Sequence, residues 1–116
     1  MTSTDEKIKG GIMVLDYYSP DWHWRVNLHT LHMRHSDFYL LAQLFGSFEK
    51  GRKKLNMDDN QAYELGFASF WQFYFTRLPF LANRLTKKWI KAIKAKRAAE
   101  EFSYSFDLPN YNYNKT

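Results

Sequence analysis

Apolar residues return at three- and four-residue intervals along much of this chain, and most of the runs end at a turn-forming residue. Residues 1–10 are polar and expected to be flexible. From Gly11, the spacing of Ile12, Leu15 and Tyr18 predicts a short helix with one apolar face. Ser19-Pro20-Asp21 predicts a restart. Ser19 would cap, Pro20 is preorganised for a first helical position, and Asp21 suits the positive helix end, with Trp22 and Val26 turned inward. Asn27 to Arg34 read as an irregular or single-turn segment. Ser36-Asp37 predicts a cap for a helix over Phe38 to Phe45, where Phe38, Leu41, Ala42 and Phe45 share a face and Gly46 ends the run. A helix over Phe48 to Leu55 is weakened by Gly51. Asp58 caps another over Asp59 to Leu65, closed by Gly66. The aromatic run Phe67 to Phe75 fits helix or strand. Pro79 opens the longest helix, to about Phe102. Few β-branched runs interrupt these patterns. The expected fold is all-α: a compact single domain over residues 11–102, of five to six short helices with a long C-terminal helix, and a flexible tail over 103–116.

Composition narrows the function more than it defines it. At 116 residues the chain suits one hydrophobic core. The absence of cysteine excludes disulfides, a thiolate nucleophile and cysteine-ligated metal. No apolar run approaches the roughly 18 residues of a membrane span, and the N-terminus carries no apolar signal segment, so a cytoplasmic protein with no membrane partner is expected. The net charge of +5 permits contact with nucleic acid, an anionic membrane or an acidic protein and selects none of them. Aromatics make up 19% of the chain, more than a core this small readily hides, so some are expected on a partner surface. If the run from Phe67 to Phe75 is helical, both its faces are apolar, and a partner or a second copy of the chain would cover one. Trp71 and Tyr74 are the candidate anchors there, although such runs are more often core.

Three clusters carry candidate chemistry. Arg84, Lys87, Lys88, Lys91 and Lys94 recur along one face of the last helix, opposite Leu85, Trp89, Ala92 and Ile93, and Lys96 and Arg97 extend the charge. This is either a solvated face or an anion-contact surface. Leu41 to Leu55 invites a helix-turn-helix reading through Ala42, Gly46 and Leu55, with Lys50, Arg52, Lys53 and Lys54 placed for phosphates. Arg52 stands where that motif needs an apolar residue. His29, His32 and His35 are weak metal candidates, since their spacing sweeps too wide an arc on a helix and a turn explains them as well. No phosphate-cradling glycine loop, nucleophile elbow or paired acidic dyad is present, so no catalytic residue and no cofactor are expected.

Several residues stand in a recognisable order: Leu15 before Pro20-Asp21-Trp22; Asn27-Leu28 with Thr30-Leu31; Leu40 to Gly46; Gly51; Leu55; Ala62 with Leu65-Gly66-Phe67; and Leu85-Thr86 with Trp89. Over about residues 11–97 this order resembles a family of short proteins found mainly in phages and prophages of Gram-positive bacteria. His29 and His32 stand where that family often has aspartates, Tyr39 and Ala42 near its Cys and Gly, and Arg52 where an apolar residue usually follows the glycine. The resemblance implies a phage-type accessory protein in a bacterial cytoplasm and supplies no activity. The expected function is therefore non-enzymatic: binding and modulating a host or phage protein through the basic face of the last helix. The alternative is a nucleic-acid-binding regulator using Lys50 to Lys54 with that helix.

Overall fold

A computed structural model describes residues 3–33, 39–68 and 79–107, with side chains in the last segment over 82–101. Among the described residues all regular structure is helical, in six elements: α1 Thr4–Tyr18, α2 Trp22–Arg25, α3 Leu40–Phe45, α4 Phe48–Lys54, α5 Asp59–Glu64 and α6 Pro79–Asp107. The all-α fold with a long C-terminal helix is as the periodicity predicts. The aromatic run beyond Ala68 and the tail beyond Asp107 lie outside the described residues.

Several boundaries differ from the sequence reading, each for a physical reason. The first helix begins at Thr4 rather than Gly11, because Ser3 and Glu6 form a reciprocal capping box (Glu6 N–H to Ser3 Oγ 3.2 Å, Ser3 N–H to Glu6 Oε1 3.1 Å). Its buried face is Ile8, Gly11 and Leu15, while Tyr18 is half-exposed. Ser19 does not cap α2. It closes α1 through its N–H to Leu15 O, and its hydroxyl accepts from Arg25. Leu40 opens α3, so the cap expected at Ser36-Asp37 falls among residues outside the description. The N-cap is Tyr39, whose buried ring meets Phe48 edge to face at 5.4 Å. The last helix runs to Asp107, past the expected end at Phe102.

Other signals read locally hold: Asp58 caps α5, in a capping box with Gln61, and Gly46 ends α3 at φ 99°, where a side chain would be strained. Ser47, a cap the sequence reading did not pick out, opens α4 by accepting the Lys50 N–H. Gly51 sits mid-helix for a different reason from the one its low propensity suggests. A Cβ there would lie 2.8 Å from Leu41 Cβ, so its bare backbone lets α4 cross tightly over α3.

The core gathers around Trp89 of α6. Its ring stacks on Phe67 at 5.7 Å, meets Trp22 edge to face at 6.0 Å, and its indole N–H donates to Gly66 O at 2.6 Å. Leu15, Leu40, Leu41, Met33 and Ile93 complete the buried centre. Helix α1 reaches this centre at Gly11, where a Cβ would lie 2.4 Å from the Leu65 carbonyl oxygen and 3.1 Å from the Trp89 ring.

Gly11→Ala is therefore expected to destabilise by about 3 kcal/mol, an overpacking cost against backbone that cannot turn aside. Gly46→Ala should cost about 1 kcal/mol, the penalty of a left-handed residue at an exposed turn. Urea unfolding midpoints of both variants test the order. An equal or smaller loss at Gly11 would contradict the close approach of α1 to the turn after α5.

Candidate functional site

The sixth helix carries most of the sequence-derived cations, and the structure sorts them into two groups. The first group is internal. Lys88 Nζ pairs with Asp5 of α1 at 2.9 Å, and Lys96 Nζ pairs with Asp16 of α1 at 3.2 Å. Asp16 also accepts the Trp22 indole N–H at 2.8 Å, so one carboxylate ties α1, α2 and α6 together. Arg97 donates to two backbone carbonyls, His23 O at 2.8 Å and Val26 O at 2.6 Å. Those bonds satisfy acceptors at the end of a four-residue helix that has too few turns to satisfy its own. Lys96 and Arg97 thus hold the fold together and do not extend the basic face, contrary to the sequence expectation.

Glu100 completes this polar clasp. Its Oε2 lies 3.0 Å from His23 Nε2, and its Oε1 accepts the Trp24 indole N–H at 2.6 Å. The His23 ring is buried and its Nδ1 has no partner, so the ring is anchored at one nitrogen only. The Trp24 hydrogen bond, and then the charge and hydrogen bond of His23, hold the Glu100 carboxyl below its ordinary value near 4.5.

The second group faces solvent. Arg84, Lys87, Lys91 and Lys94 are exposed on one side of α6, while Leu85, Trp89 and Ile93 are buried on the other. The 3.6-residue period predicts this division. Lys88, read as part of the stripe, flanks it and is half-buried against α1. Hydrogen bonding and charge from Lys88 lower the pKa of Asp5, with smaller contributions from Lys91 and Arg84.

The helix-turn-helix candidate is resolved into two short helices, α3 and α4, joined at Gly46-Ser47. Arg52 is a clamp here. Its guanidinium meets Glu49 Oε2 at 2.6 Å, Asp59 Oδ1 at 3.2 Å and Met57 O at 2.9 Å, which staples α4 to the start of α5. These partners occupy the group that the sequence reading offered to phosphates. Lys50, Lys53 and Lys54 remain exposed.

The histidine candidates do not converge in what is described. His29 is exposed, His32 is half-buried, and His35 lies outside the described residues. No group of three potential ligands among the described residues could hold a metal ion. No helix among them is long and apolar enough to cross a membrane. Trp71 and Tyr74 also lie outside the described residues.

One apolar surface escaped the sequence reading. Met13 and Tyr17 are 72% and 81% exposed on the outer face of α1. Beside them a furrow of about 400 Å³ is lined by Val14, Tyr18, Leu55, Met57 and Leu65, together with the polar Asn56, Gln61 and Glu64. The available signal was the four-residue spacing of Met13 and Tyr17, out of phase with Ile8, Gly11 and Leu15.

The clasp makes a pH prediction. A carboxylate whose folded pKa is depressed stabilises the fold above its unfolded pKa, and that contribution fades as pH falls through the folded value. Glu100→Gln should therefore lower stability near neutrality and flatten the loss of stability below about pH 4.5, relative to the unaltered chain. Urea unfolding between neutrality and acid checks this, and parallel curves for the two proteins would exclude Glu100 as a contributor.

No family model, curated protein or solved structure matches this chain.

Proposed function

We propose that this chain is a small non-enzymatic accessory protein, of the phage type its motif order resembles, that binds and modulates a protein partner through the solvent face of α6. The observation that carries this reading is the division of charge on that helix. Lys88, Lys96 and Arg97 are engaged inside the fold, while Arg84, Lys87, Lys91 and Lys94 have exposed positions together on one face. Four like charges aligned on a rigid helix raise the local potential and steer an anionic partner.

Exposed Lys50, Lys53 and Lys54 favour a second reading, a nucleic-acid-binding regulator. The geometry of α4 weighs against it. The helix is seven residues long, and Gly51 and Arg52 are fixed against α3 and α5. That leaves little of α4 to enter a groove.

Lys87→Glu/Lys91→Glu should abolish capture of the partner from host lysate, while Lys53→Ala/Lys54→Ala leaves it intact. Capture should survive nuclease, and it should weaken with salt because the contact is between exposed charges. Loss of captured material on nuclease treatment, with an affinity that falls steeply with salt and depends on Lys53 and Lys54, would replace this reading with the nucleic-acid one.

A further inference from the structure

We infer that the solvent face of α6 docks an acidic α-helix of a protein partner, whose carboxylates repeat at three- and four-residue intervals and whose charge changes sign at one end. The inference rests on the docking-face reading above and specifies the occupant of that face.

The charge pattern along the face is not uniform. Arg84, Lys87, Lys91 and Lys94 follow one another at intervals of three, four and three residues, a track of about 15 Å at the helical rise. Exposed Ala95 and Ala98 come next on the same face, and exposed Glu101 follows, seven residues beyond Lys94. The whole track spans about 25 Å. It reads as four positive positions, a low and uncharged step, and a negative one. Asp5 adds a second carboxylate on the α1 flank, 72% exposed and bonded to Lys88.

This order suits one class of partner. A nucleic-acid backbone presents negative charge at every step, so Glu101 and Asp5 would oppose it at the end and edge of the track. A helix presents side chains at the same three- and four-residue spacing as α6, and its sign can change within two turns. Carboxylates spaced in this way meet the four cations. The small side chains of Ala95 and Ala98 let the two backbones approach, and a basic residue meets Glu101. Complementary charge of this kind sets register and partner choice more than raw affinity.

The test uses the full chain and synthetic helical peptides. Matched peptides, one for each chain direction, carry glutamates at three-, four- and three-residue intervals and a lysine seven positions beyond. A permuted peptide has the same composition with its glutamates spread around the helix. Fluorescence anisotropy at physiological salt should show one matched peptide binding about tenfold tighter than the permuted one. Lys87→Glu/Lys91→Glu should remove that preference, with circular dichroism confirming that the variant stays helical. Glu101→Lys should weaken the matched peptide about threefold and strengthen binding of a DNA duplex.

Equal binding of matched and permuted peptides, or a duplex that binds tighter than the matched peptide, overturns the helical partner. The two readings fail separately. If Lys87→Glu/Lys91→Glu loses the lysate partner while the peptides bind alike, the docking face stands and its helical occupant falls. If that variant keeps the lysate partner, the docking face itself falls.

Discussion

The indole of Trp89 is buried, and its N–H must find an acceptor inside the protein, because an unpaired donor there costs about 1–3 kcal/mol. Gly66 O supplies that acceptor at the turn after α5. Much of the remaining architecture follows from serving this ring. Phe67 leaves the same turn and stacks on it, Trp22 closes its edge, and α1 passes close over Phe67 and Trp89. Only a residue without Cβ can stand at that crossing, and Gly11 does. The ring thus brings α1, α2 and the end of α5 onto α6. Positions far apart along the chain become dependent on one another.

Along α6 the side that faces the fold continues beyond the hydrophobic core but changes character. Leu85, Trp89 and Ile93 are apolar, and the next turns on that side bring Lys96, Arg97 and Glu100. The change matches what each half touches. The apolar half meets the core. The polar half meets α2, whose short length leaves backbone carbonyls and two indole or imidazole nitrogens in need of partners. Lys96 and Arg97, tied down in this way, are poorly available to an external ligand, since leaving would strand Asp16 and two carbonyls. The cations that contribute least to the fold are those best placed to act outside it.

What the sequence reveals about this arrangement depends on how local each interaction is. The caps at Ser47 and Asp58 and the turn at Gly46 are legible because their partners lie within four residues, and the start of α6 at Pro79 because proline's fixed φ suits a first helical position. Gly11 misleads because the group that requires it, the Leu65 carbonyl, is remote in sequence, and a glycine pair read alone suggests the start of a helix. The Ser3–Glu6 box was available and outweighs those glycines. Arg52 carried no mark of its role apart from Glu49 one turn before it and Asp59 just past the next cap. Lys96 was more legible. It follows Trp89 by seven residues, and two helical turns return it to the buried side, where a lysine requires an acid.

The same reasoning explains several residues of the motif order read from the sequence. Gln43 binds the Asn27 backbone at both ends, receiving its N–H at 2.7 Å and donating to its carbonyl at 3.1 Å. Thr86 accepts the Met33 N–H at 2.8 Å while donating to Ala82 O, and Trp89 holds Gly66. Asn27, Gln43, Thr86 and Trp89 are the ties that fix an irregular segment and a tight turn against helices. A pattern made of such ties describes a scaffold. The outer face of α6 takes no part in these ties. The ties and the exposed charges of α6 are therefore carried by different residues of this chain: Arg84, Lys87, Lys91, Lys94 and Glu101, on which the proposed docking face rests, take no part in the motif order.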